Sequence, residues 1–183
     1  MRVISSEVFP EVLIVEPMVF GDERGFFWET YQETRYLESG VRARFVQDNL
    51  SYSQKGVLRG LHYQIERPQG KLVWVIKGEV FDVVVDLRKS SPTFGKWFGM
   101  TLSERCPKQI YIPEGFAHGF CVTSRDALFC YKCTDYYSPS HERGVRWDDP
   151  ELGIQWPVRD PVLSEKDKRF PLLKHVKRED LFL

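Results

Sequence analysis

The feature that most limits how this chain can fold is a succession of short β-prone runs, with turn residues between them, from residue 12 to residue 134. They occupy 12–15, 26–31, 44–47, 57–64, 71–76, 80–86, 96–102, 109–112, 119–123 and 127–134, and most are rich in β-branched or aromatic residues. Many short strands with turns between them indicate an all-β sandwich or barrel. Lys77-Gly78-Glu79, between two of the runs, reads as a tight hairpin. One short helix is expected over 32–38, stopped by Gly40. From about residue 137 the pattern changes to a polar tail carrying Pro139, Pro150, Pro157, Pro161 and Pro171. Within it Ser164-Glu165-Lys166-Asp167 reads as a helix start, with Ser164 as the cap and Asp167 at the capping-box position. With no repeat and no linker, residues 1–183 are expected to form a single domain, with 137–183 wrapping the barrel.

Charge narrows the function. Lys plus Arg and Asp plus Glu both number 26, so the formal net charge is zero. A nucleic-acid binder draws its affinity from surplus positive charge, so that class is not expected. No apolar run approaches the ~20 residues a membrane-spanning helix needs, so no membrane partner is expected either. Met1 to Glu7 does not resemble a secretory leader. Of the four cysteines, Cys130 and Cys133 have CxxC spacing, but on a strand residues three apart point to opposite faces. No second CxxC completes a zinc site. Inert thiols fit the reducing cytoplasm, the expected compartment.

Chemistry concentrates around two of the four histidines. His62 lies in Gly56-Val57-Leu58-Arg59-Gly60-Leu61-His62-Tyr63-Gln64, and His118 in Ile112-Pro113-Glu114-Gly115-Phe116-Ala117-His118-Gly119-Phe120. These stretches resemble the two signatures of the cupin double-stranded β-helix, or jelly roll. A metal-binding cupin offers His-x-His in the first; here Gln64 replaces the second His, and a neutral amide is a poor ligand for a transition metal. The site is therefore expected to hold no metal and to need no cofactor.

Taken together with Phe20 to Phe27, Phe45 to Asn49, Gln69 to Val73, Gly78 to Val83, Tyr131 to Tyr137, Trp147 to Pro150 and Leu163 to Asp167, the motifs resemble the dTDP-4-dehydrorhamnose 3,5-epimerase family. Each motif alone is weak, but they occur in order along the chain. The resemblance implies a dTDP-linked 4-keto-6-deoxyhexose as substrate, epimerised at C3 and C5. Protons beside a ketone are acidic, so such an enzyme needs a base, a stabiliser for the enolate and an acid on the opposite face. By resemblance His62 is the base, Asp167 its orienting carboxylate, Lys71 the cation at the ketone oxygen and Tyr131 the acid. Arg24 and Arg59 correspond to groups on the diphosphate. Gln47, Asn49, Glu29, Glu142 and His118 correspond to nucleotide or sugar contacts, and Asp82 to a supporting carboxylate. Some of these groups reach across from a partner subunit in the family, which implies a homodimer.

Taken singly, each residue has an ordinary explanation. Tyr131 would be a sheet aromatic, Lys71 a solvated lysine after a turn, Asp167 a first-turn acid and Arg24 a turn charge. Strand parity also opposes Arg59 and His62, so both serve one cavity only if the strand bulges, and Gly60 is the natural place. Three other functions compete: an epimerase acting at C3 alone, a metal-dependent cupin enzyme, and a non-catalytic sugar-nucleotide-binding module.

Overall fold

The computed structural model describes residues 1–183. In chain order its strands are β1 (Arg2–Ser5), β2 (Leu13–Glu16), β3 (Val19–Asp22) and β4 (Gly25–Trp28). After helix α1 (Glu33–Glu38) come β5 (Gln47–Gln54), β6 (Leu58–Gln64), β7 (Lys71–Lys77) and β8 (Glu79–Asp86). The rest are β9 (Trp97–Ser103), β10 (Gln109–Ile112), β11 (Phe116–Val122), β12 (Asp126–Cys133) and β13 (Glu142–Gly144). Two antiparallel sheets result, ordered β1-β2-β10-β7-β12-β5 and β13-β6-β11-β8-β9, with β3 and β4 forming a separate ribbon. From β5 to β8 the chain alternates between the sheets, and from β10 to β12 it does so again. This is jelly-roll connectivity, as the two histidine stretches lead one to expect.

The alternation overturns one expectation. Residues 77–79 do not close a hairpin, because β7 and β8 lie in different sheets. Gly78, at φ +81°, turns the chain from one sheet to the other. A side chain there would run into the Asp126 carbonyl, so only glycine fits the turn. Pairing of β7 with β12 and of β8 with β11 outweighs the local preference for a hairpin.

Both sheets are covered on both faces, which is why their central strands read as nearly continuous apolar runs. Between them lies a core that includes Val73, Val75, Val80, Val84, Phe120 and Phe129. The outer face of the five-stranded sheet offers Val83, Val85 and Ala117 to Leu152 and Leu173 of the tail. The outer face of the six-stranded sheet offers Leu72 and Trp74 to Tyr36, Val41 and Ala43, at and just after α1. Burying one such side chain contributes roughly 1.5–3 kcal/mol, so both coverings stabilise the sheets substantially. Gln32 caps α1, its side chain accepting from the Arg35 amide. The tail also adds parallel bridges of Val162 to Val57 and Phe182 to Arg88.

Some boundaries shift. The aromatic run at 26–31 ends as strand at Trp28, and the extended stretch expected at 44–47 becomes strand only at Gln47. Strand β5 is polar, QDNLSYSQ, and gave no strand signal beyond its first residue. Ser164 does cap the tail turn, its hydroxyl accepting from the Asp167 amide at 3.0 Å. The Asp167 carboxylate does not complete the capping box, because it bonds His62 instead.

Candidate active site

The apolar core fills one part of the space between the sheets and leaves a polar part. Strand parity shows how. On β12, Phe129 sits in the core while Tyr131 and Cys133, on the same face, line a cavity of about 340 Å³. On β7, Val75 and Val73 are core and Lys71 lines the cavity; on β11, Phe120 is core and His118 polar lining. Cys130, on the opposite face of β12, packs outward beside α1, as expected for CxxC on a strand.

The cavity brings together His62, Arg59, Lys71, Tyr131, Gln47, Asn49, His118 and Glu142. His62 and His118 come from the five-stranded sheet, where they are direct partners in the β6–β11 register. Lys71 and Tyr131 come from the facing sheet, where Cys133 pairs directly with Lys71. His62 and Tyr131 therefore stand on opposing walls. Arg59 and His62 share the cavity because the β6–β11 register shifts between them. Gly60 makes the shift with φ +136°, its backbone pressed so close to Gly119 that a Cβ would overlap Gly119 Cα.

Electrostatics differ on the two walls. Nε2 of His62 lies 2.7 Å from Oδ1 of Asp167, which is buried behind it. Burial pushes the Asp167 carboxyl up, but the bonds from His62 and Ser164 outweigh it and hold the group below the usual range. An ionised Asp167 accepts a hydrogen bond from Nε2–H and leaves Nδ1 of His62 without a protein partner. Desolvation pushes Tyr131 up, so its phenol keeps its proton at neutral pH. Desolvation lowers Lys71, which makes no salt bridge; Cys133, Asp82 and Glu142 act the other way. Behind His118 lies Asp82, fully buried, its Oδ2 2.8 Å from Nε2. Burial drives Asp82 up and His118 down.

Groups assigned no role from sequence also line the cavity, Tyr137, Lys166 and Gln69 among them. The Tyr137 hydroxyl donates to Glu142 Oε2 at 2.7 Å, and Lys166 holds Oε1 at 2.7 Å, tying the 137 loop to the tail. Tyr137, Lys166 and Gln69 lie within or beside the quoted motifs, which was the available signal. Gln64 is occupied by backbone: its Nε2 donates to the Tyr136 carbonyl at 3.1 Å, and its Oε1 accepts from the Ser138 amide at 2.8 Å. No group of three or more His, Cys, Asp or Glu side chains is arranged to hold a metal ion.

Within a single chain, Arg24 and Glu29 do not line the cavity. Arg24 lies at the turn of the β3–β4 ribbon and pairs with Asp22 of the same turn. Glu29 pairs with Arg35 of α1 at 3.0 Å. Both belong to the N-terminal segment that leaves the sandwich, so neither strand alternation nor the tail directs them inward.

Comparison with known proteins bears on this geometry. A family model described as dTDP-4-dehydrorhamnose 3,5-epimerase matches residues 7–175. The chain belongs to the dTDP-4-dehydrorhamnose 3,5-epimerase family. A relative of that name from Shigella flexneri is 59% identical over 169 residues, 91% of this chain and 93% of the relative. One from Methanothermobacter thermautotrophicus is 53% identical over 165 residues, 88% and 89% of the two chains. Among solved structures, a dTDP-6-deoxy-D-glucose-3,5-epimerase from Legionella pneumophila Philadelphia 1, in complex with dTDP-4-keto-L-rhamnose, superposes with a TM-score of 0.95 at 54% identity. That match covers 99% of this chain and 97% of the other. The agreement spans both sheets and the tail, so the fold is the family's jelly roll.

Proposed function

We propose that the cavity moves protons between the two faces of a keto sugar, with His62 as the base and Tyr131 as the acid. The reaction itself is the family's: dTDP-4-dehydro-6-deoxy-D-glucose is inverted at C3 and C5 to give dTDP-4-dehydro-L-rhamnose. The observation that carries the residue assignment is the placement of His62 and Tyr131 on facing sheets of one cavity.

Nδ1 of His62 takes the proton from the carbon beside the ketone. The electron pair of that C–H bond becomes the C=C bond of an enolate, and the charge moves to the C4 oxygen. Lys71 stabilises that oxyanion, as a preplaced cation does for charge that develops in the transition state. Asp167 fixes the His62 tautomer and supports the imidazolium once formed. Tyr131 returns a proton to the same carbon from the other wall, inverting it. The imidazolium then releases its proton to solvent and the phenolate regains one, and the reset pair runs the cycle once at C5 and once at C3. Arg59, Gln47, Asn49, His118 and Glu142 hold the nucleotide and sugar around these steps.

Arg24 and Glu29 fit this reading through a second subunit. The β3–β4 ribbon exposes Phe20, Phe26 and Phe27 at 57%, 67% and 68%. An isolated two-stranded ribbon is marginal in water, and an apolar patch of this kind marks an interface. A homodimer that covers the ribbon and lends Arg24 and Glu29 to the neighbouring cavity accounts for both facts. No helix is long and apolar enough to cross a membrane, and all four thiols are free, which suits the cytoplasm.

Turnover in D₂O tests the assignment. Wild type is expected to incorporate deuterium at both C3 and C5 of the product, and label at C3 alone would overturn double epimerisation. His62→Ala should exchange neither proton. Tyr131→Phe should still exchange protons but return them with retention, and full inversion by that variant would remove Tyr131 from the acid role.

A further inference from the structure

The tail supplies His62 with more than a carboxylate. Three residues after Asp167, Phe170 sets its ring against the imidazole edge-to-face, with centroids 5.6 Å apart and planes at 69°. Its seat is Gly144 of β13, the direct register partner of His62 in the β6–β13 pair. A Cβ on Gly144 would lie 2.5–2.6 Å from Cε2, Cδ2 and Cζ of the Phe170 ring, inside van der Waals contact. Gly144 does not have the left-handed backbone that usually calls for glycine, so what it provides is room. Phe170 also lines a second cleft of about 260 Å³, together with Arg143, His175, Lys177 and Asp180. That cleft and the sugar cavity share Tyr63 and Glu142 in their walls, but Phe170 lines only the second.

We infer that Phe170, seated on Gly144, is a positioning residue that fixes the His62 ring and seals the His62–Asp167 bond from water in the second cleft. The inference rests on the reading of His62 as the base. An imidazole held by one hydrogen bond can still swing about it. An aromatic edge on its flank limits that rotation, and displacement of a catalytic group by about 1 Å costs on the order of a hundredfold in rate. A dry surround also strengthens the charge-assisted bond to Asp167.

The test is a double-mutant cycle of Phe170→Ala and Gly144→Ala, with His62→Ala as a control. Phe170→Ala should lower kcat about ten- to a hundredfold and leave KM within about threefold. Gly144→Ala, whose methyl pushes the ring off its seat, should lower kcat in the wild-type background and add little once Phe170 is gone. Phe170→Leu, which refills the space, should recover part of the rate. The Nε2 proton of His62, read by NMR as a downfield imidazole signal, should exchange with water much faster in Phe170→Ala. Normal kcat and slow exchange in folded Phe170→Ala would overturn the inference, as would independent effects of the two substitutions. If Phe170→Ala does not fold, Phe170→Leu and Gly144→Ala are compared for the same kcat and exchange readouts. A His62→Ala enzyme that still turned over would instead overturn the reading of the base.

Discussion

Asp167 Oδ1 lies 2.7 Å from Nε2 of His62, although 105 residues separate them in the chain. The tail thus completes a site whose other parts lie on the sheets. Asp167→Asn keeps the shape but offers an amide that can donate to Nε2, favouring the wrong tautomer. A fall in kcat of about 10²–10⁴ is expected, with a lower Tm at pH 7, where the ionised carboxylate's contribution to stability is lost. Wild-type activity in Asp167→Asn would separate the carboxylate from catalysis.

The same carboxylate predicts a pH effect on stability. Asp167 titrates below its ordinary value of 3.8 in the folded protein. The unfolded chain therefore binds its proton first as pH falls, so the group's contribution is present above about pH 4 and lost below it. Between roughly pH 5 and pH 2, Tm should fall less steeply in Asp167→Asn than in wild type. Parallel Tm curves over that range would contradict the assigned direction.

Lys71 has the opposite consequence. Desolvation lowers it from 10.5, so folding places a charge in a cavity where it is less favourable than in water. The cost is full at neutral pH and disappears as pH rises through the folded value toward 10.5. Lys71→Met should therefore raise Tm at pH 7, gain less near pH 10, and lose about 10²–10³ in kcat with the oxyanion's cation. A variant both less stable at pH 7 and fully active would refute both halves.

Much of this is legible in the sequence. Val73, Val75, Phe129 and Tyr131 announced their strands by residue type, and Gly60 marked the bulge that lets Arg59 and His62 share a cavity. Less was visible where polar function overrides the usual pattern. Strand β5 carries Gln47 and Asn49 inward, and its alternation of polar residues hides it. The turn at Gly78 looked like a hairpin because local sequence does not say which sheet a strand joins. The outward paths of Arg24 and Glu29 were hidden for a related reason: motif order fixes neighbours in sequence and leaves open which copy of the cavity a ribbon serves.

Gly60→Ala tests the bulge directly. The new methyl would meet Gly119 Cα and the His118 carbonyl at a φ that side chains rarely adopt. Overpacking of this kind costs about 1–3 kcal/mol, and the backbone conformation adds to it. A Tm drop of several degrees is expected, together with lower kcat/KM as Arg59 and His62 move apart. An unchanged Tm would mean that β6 and β11 separate without cost.

The last prediction concerns the shared site. If Arg24 serves the neighbouring cavity, a dimer of one His62→Ala subunit and one Arg24→Ala subunit contains one intact site. That site takes His62 from the Arg24→Ala chain and Arg24 from the His62→Ala chain. The other site lacks both. Random reassociation of equal amounts makes half the dimers mixed, so kcat/KM should recover to about a quarter of wild type from two weak parents. Arg24 acting on its own cavity predicts no recovery, because each mixed site would carry one defect. Measuring activity before and after dissociation and reassociation distinguishes the two, and sedimentation at each stage shows whether dimers formed.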